Sequence, residues 1–108
     1  MPERRAFPRY YPRREVPCSI NVALGGSSWM GKLADLSTDG IGIISGCWLP
    51  AETTILVELG HAAPLPRIFL AHLCHATRRP TGDFHLGARL VNHLTEDEVH
   101  ELTEQTDR

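Results

Sequence analysis

A two-residue rhythm that keeps restarting is what most constrains this chain. Val16, Cys18, Ile20, Val22 and Leu24 alternate with polar or small neighbours, as a strand with one buried face must. Gly25-Gly26-Ser27 reads as a turn, and Trp29 to Leu36 as a second strand. Asp39-Gly40 breaks that run, and Ile41 to Ile44 follows as a third. Cys47-Trp48-Leu49-Pro50 opens a longer loop before Thr54 to Leu59, a β-branched and apolar fourth run. Arg67 to Thr77 and Phe84 to Val91 are the fifth and sixth, joined by a tight hairpin at Pro80-Thr81-Gly82-Asp83. Short strands at this spacing predict a small antiparallel barrel or sandwich.

The last segment changes character. Thr95-Glu96-Asp97-Glu98 is a capping box, with Leu94 and Val99 at the staple positions around it. Acids in the first turn favour the positive end of the helix dipole. A helix from about Glu96 to Gln105 is expected, with a narrow apolar stripe of Val99 and Leu102. The fold class is therefore all-β with a C-terminal helix. The 108 residues make one domain. Its expected parts are a flexible Arg-rich segment over 1–15 and a barrel with helix over 16–108.

The net charge of −2 hides an asymmetry. Arg4, Arg5, Arg9, Arg13 and Arg14 crowd the first 14 residues, whereas 95–108 carry six acids against Arg108. Ten arginines stand against the single Lys32. Genome composition can raise that ratio, but it does not gather half the arginines at one end. Arginine adds a planar fork that pairs with phosphate or a guanine edge and stacks on flat rings.

Composition excludes other classes. No apolar run approaches the ~20 residues of a membrane span, and nothing in the charged, proline-rich start reads as a secretory signal. Cys18, Cys47 and Cys74 are odd in number and form no Cys-x-x-Cys pair, so a reducing cytoplasm, free buried thiols and no disulfides are expected. Strand alternation puts His72 and Cys74 on one face and His75 on the other. No zinc-type spacing supports a metal. Ser37, His75 and Asp35 suit no hydrolytic triad, because nothing sets a base beside the serine and no nucleophile elbow exists. No enzyme is expected.

Two constellations remain. Arg4-Arg5-Ala6-Phe7-Pro8-Arg9 holds an Arg-x-x-x-Arg spacing preceded by another arginine, stiffened by Pro8 and Pro12. It reads either as a clamp for a small dianion with flat rings or as a disordered basic tail. Asp35-Leu36-Ser37-Thr38-Asp39-Gly40 is an Asp-x-Ser-x-x-Gly pattern between two strands. Its carboxylate suits the N1–H and N2–H₂ donors of guanine. Ser37 can donate to phosphate or hold the turn, and Gly40 can take φ > 0 or admit a ligand to the backbone. An ordinary β-turn uses the same residues. An antiparallel hairpin returns the end of its second strand to the start of its first, so the two constellations should meet in space.

In this order the motifs resemble those of the PilZ domain family, bacterial cyclic di-GMP receptors. Arg5 and Arg9 match its Arg-x-x-x-Arg; Asp35, Ser37 and Gly40 match its (Asp/Asn)-x-Ser-x-x-Gly; Leu86 to Leu90 looks like its closing strand. The resemblance implies a six-stranded antiparallel β-barrel with a C-terminal helix and no catalysis. It implies that Arg5 and Arg9 contact guanines and phosphates, and that Asp35, Ser37 and Gly40 hold a guanine edge. Arg4, just before the motif, points to an intercalated ligand dimer. A late fifth-strand aromatic that stacks on guanine in some relatives is missing here, and His75 is the nearest substitute. The expected switch is ordering of the N-terminal tail, read by an unidentified protein partner.

Two rival readings stand beside this one. A PilZ-like domain without ligand would act as an interaction module. A small barrel binding nucleic acid through its Arg-rich tail would use Phe7, Tyr10 and Tyr11 for stacking. The acidic C-terminal segment and net negative charge argue against the latter.

Overall fold

A computed structural model describes residues 8–59 and 67–104. Six strands and one helix follow in order: β1 (Pro17–Val22), β2 (Ser28–Leu36), β3 (Gly40–Ser45), β4 (Thr54–Leu59), β5 (Arg67–Arg78), β6 (Phe84–Leu90) and α1 (Glu96–Glu104). Every pairing is antiparallel, and the strands close in the order β1-β2-β3-β6-β5-β4. Closure removes both sheet edges, so neither offers an open ladder to another chain.

The two-residue rhythm sets the core. Cys18 and Ile20 of β1 point inward with Leu33, Ile41, Ile43, Ile55 and Val57 from neighbouring strands, all at most 4% exposed. Each buried aliphatic side chain contributes about 1.5–3 kcal/mol relative to exposure. The expected strands lie within a residue or two of the observed ones. The thiols differ from expectation: Cys18 is buried, but Cys47 and Cys74 are exposed. Cys47 follows the end of β3, and Cys74 is on the outer face of β5, where alternation sends it to solvent. Burial pushes the Cys18 thiol pKa up to about 12, against a smaller lowering by a Gly31 backbone hydrogen bond.

Helix α1 starts as its sequence requires. The Glu98 N–H donates to Thr95 Oγ1 at 3.1 Å, and the Thr95 N–H donates to Glu98 Oε1 at 2.8 Å. That backbone bond holds the Glu98 carboxyl below its ordinary value, with Arg67 adding to it. Val99 and Leu102 bury the helix against the barrel. The N-terminal segment reaches the same end: the Arg13 N–H donates to the Thr103 carbonyl at 2.9 Å. Among the described residues no helix is long and apolar enough to cross a membrane.

Candidate functional site

Two irregularities in an otherwise regular barrel create the site. Register shifts once in β2, between Leu33 and Asp35, and once in β5, between Leu73 and His75. Leu33 and Leu73 both point into the core. Strict alternation would send Asp35 and His75, two residues on, inward as well. The extra residue of each bulge turns them outward instead. The expectation that His75 faces away from His72 and Cys74 is therefore corrected: the β5 bulge brings His75 to their outer face, where it is exposed.

Between the two bulges lies a floor without side chains. Asp35 pairs with Gly42 of β3, Gly42 with Gly87 of β6, and Gly87 with His75. The row thus runs carboxylate, glycine, glycine, imidazole across four strands. A Cβ on Gly42 would lie 2.7 Å from Asp35 Oδ2 and 2.9 Å from His85 Nε2. A Cβ on Gly87 would lie 2.6 Å from His75 Cε1. Any larger residue would lift these side chains off the wall. His85, two residues before Gly87 on β6, fills the space between: its ring stacks near-parallel on His75, with centroids 6.0 Å apart and planes 14° apart.

The N-terminal segment comes to the same patch. Tyr10 and Leu36 exchange two backbone hydrogen bonds of 2.9 Å. That bridge lays Arg9 over Asp35, and Arg9 Nη1 donates to Asp35 Oδ1 in an ion pair. His85 Nε2 stands 3.4 Å from the other oxygen, Oδ2. Arg9 Nε is buried with no partner. The carboxylate side chain is 9% exposed and the guanidinium side chain 32%, so their charges are shielded from water more than a surface pair's would be. Tyr10 also ties the segment to α1, through Glu96 Oε1 at 3.2 Å and the edge of the His100 ring. Desolvation first, and that carboxylate second, raise the Tyr10 pKa.

The turn after β2 is built from its own side chains. Ser37 Oγ accepts from the Gly40 N–H at 3.0 Å and donates to Asp39 Oδ1 at 2.9 Å. Ser37 is 2% exposed, and its hydroxyl is spent on the turn. Gly40 does not take a positive φ. It is small because a Cβ would press on the Ala88 carbonyl at 3.3 Å. The turn is pinned to β6 and the following loop by Leu90 N–H to Asp39 O and Leu94 N–H to Thr38 O.

Of the residues singled out from sequence, Arg9 and Asp35 thus meet directly, while Ser37 and Gly40 shape the loop beside them. Arg4 and Arg5 lie outside the described residues. Sequence reasoning missed Gly42 and His85 as parts of this patch. The register-paired glycines were the available signal, but they become one only when four strands are aligned. Among the described residues, no group of three metal-ligating side chains could hold an ion.

The family model for the PilZ domain matches residues 3–108. The PilZ domain with c-di-GMP of YcgR from Escherichia coli is similar, with TM-score 0.69 and 19% identity over 93% of this chain and 86% of that one. The K. pneumonia MrkH–c-di-GMP complex gives TM-score 0.67 and 11% identity over 94% and 49% of the two chains. The Bacillus subtilis inhibitor of motility MotI/DgrA gives 0.64 and 11% over 94% and 48%. This chain spans about half the length of the last two. Likeness at such identities is one of fold. No curated protein sequence matches. With the family match running over nearly all of its length, this six-stranded closed barrel with its C-terminal helix belongs to the PilZ domain family.

Proposed function

We propose that this chain is a cyclic di-GMP receptor whose ligand lies on the outer wall between the two bulges. One observation carries the reading: two motifs 26 residues apart in sequence meet in the Arg9–Asp35 ion pair. A carboxylate beside a guanidinium offers acceptors for a guanine edge and a fork for phosphate. The glycine floor leaves room for a flat base against the backbone. The E. coli YcgR domain, similar in fold, was solved with c-di-GMP.

In this reading Asp35 accepts from guanine N1–H and N2–H₂. Arg9 leaves Asp35 for phosphate or guanine, joined by Arg5 from the preceding segment. Ser37 and Gly40 keep the turn rigid beside the base. Arg4 adds charge for a second, intercalated ligand. The protein is a receptor acting in the cytoplasm, not a catalyst. Ligand binding orders the Arg-rich segment onto the barrel, and a protein partner reads the altered surface. The Tyr10 contacts to Glu96 and His100 give that change a route to α1.

Calorimetric titration of cyclic di-GMP into the whole chain tests this, with GTP and cyclic di-AMP as controls and Arg5→Ala alongside. Saturable guanine-selective binding, weakened in the variant, is expected, with two ligands per chain if Arg4 acts as described. An absence of heat at high ligand excess would overturn the reading in favour of a ligand-free interaction module. Binding that falls steeply with salt and ignores guanine would indicate nucleic acid.

A further inference from the structure

Asp35 by itself reads only part of a guanine. Its two oxygens match N1–H and N2–H₂, but O6, the next atom on that edge, is an acceptor. An acceptor set against an acceptor-only carboxylate is left unpaired at a substantial energetic cost. A complete reader needs a donor flanking the carboxylate. His85 supplies one. Its Nε2 lies 3.4 Å from Asp35 Oδ2. Because a carboxylate only accepts, that contact favours the tautomer with the imidazole hydrogen on Nε2. The distance is at the long end of the hydrogen-bond range, so the donor is weakly held.

The surroundings fix this donor in place. His85 sits in β6, which is laddered to β3 on one side and β5 on the other. Its ring is backed by His75 and its tip rests over Gly42. Arg9 flanks the other oxygen from a segment joined to β2 by one backbone bridge, which suits it to follow a phosphate. We propose that His85 is a specificity-determining residue, donating from Nε2 to guanine O6 while Asp35 accepts from N1–H and N2–H₂. Asp35 and His85 together then present acceptor, acceptor, donor, the pattern that cytosine shows to guanine. Adenine reverses two of its edge positions, with an N6–H₂ donor and an N1 acceptor, and is rejected at both. This inference rests on the receptor reading above.

The test is calorimetry on the whole chain with three ligands: cyclic di-GMP, its analogue with sulfur in place of O6, and cyclic di-AMP. His85→Phe keeps a ring and loses the donor; His85→Gln keeps a donor. His85→Phe should weaken cyclic di-GMP about tenfold, and His85→Gln should recover to within about threefold of wild type. The sulfur analogue should bind wild type about tenfold more weakly, with no further loss in His85→Phe. Cyclic di-AMP should bind none of the three. The inference is overturned if His85→Phe binds cyclic di-GMP like wild type, or weakens both guanine ligands equally. It is also overturned if His85→Gln fails to recover while melting at the wild-type temperature. Should wild type itself not bind cyclic di-GMP, the receptor reading falls first and takes this one with it.

Discussion

The two bulges occupy matching places on either side of the Gly42–Gly87 pair, yet they deliver different things. The β2 bulge turns out a carboxylate that is at once engaged, by Arg9 on one oxygen and His85 on the other. The β5 bulge turns out an imidazole whose ring contact is another imidazole, at 6.0 Å. The first side is charged and shielded from water; the second is flat and exposed. In the proposed reading, the two bulges divide the recognition of a base: polar contacts to its edge from one, and a flat surface for its face from the other. Bulges suit this because the extra residue resets which side chains face out, while the positions pointing inward beyond it still fill the core.

The largest test of this difference removes the charged side. Asp35→Ala should weaken cyclic di-GMP by about a hundredfold, since two hydrogen bonds to a charged acceptor are worth about 3 kcal/mol or more. Calorimetry would read it. A change in the wall facing the core should do the reverse. Gly31→Ala sets a Cβ 2.7 Å from the Ile44 backbone carbonyl and 3.0 Å from Ile20 Cδ1. It should cost about 2 kcal/mol of stability in denaturant melts, with ligand affinity preserved among folded molecules. The two floor glycines should then separate the bulges. At both, the obstructing atoms are side-chain ends, so melting should change little. Gly42→Ala displaces Asp35 and should weaken ligand about tenfold; Gly87→Ala displaces His75 and should cost about threefold or less. Equal losses at both would erase the distinction between edge and face.

Away from both bulges, effects should be confined to stability. Thr95→Ala removes the α1 cap and should cost about 1 kcal/mol in melts without changing ligand affinity. The Glu98 carboxyl is held below its ordinary value, chiefly by the Thr95 backbone. Its contribution is present above the unfolded carboxylate pKa and is lost as pH falls through the lower folded value. Thr95→Ala keeps that backbone N–H and should leave the acid limb of a pH–stability curve largely in place, whereas Glu98→Gln, which removes the carboxylate, should flatten it. Thiol labelling at neutral pH should give two fast cysteines, Cys47 and Cys74, with Cys18 reacting only on unfolding.

Much of this was legible before any coordinates. Alternating apolar residues and turn signals mark all six strands, and the capping box marks α1, because each signal is local. The meeting of Arg9 with Asp35 was legible too, as a consequence of hairpin geometry. The outer wall was not. A bulge adds a single residue and reverses the facing of everything beyond it, and no periodicity count registers that. Hence His75 was expected on the wrong face. His85 was overlooked because Asp35 lies 50 residues away in sequence, and Gly42 because its significance depends on pairing with Gly87 of β6 as well as with Asp35. The role of Ser37 was open between phosphate and turn, and only the hydroxyl's two hydrogen bonds show how the turn uses it.

The most direct test of the central claim is an amide NMR titration of the whole chain with cyclic di-GMP. The earliest and largest shifts are expected at Tyr10, Asp35, Gly42, His85 and Gly87, the wall between the bulges, with α1 responding through Tyr10. Saturable shifts confined to the opposite wall, around Ser19 and Leu56, with the glycine floor unmoved, would contradict it.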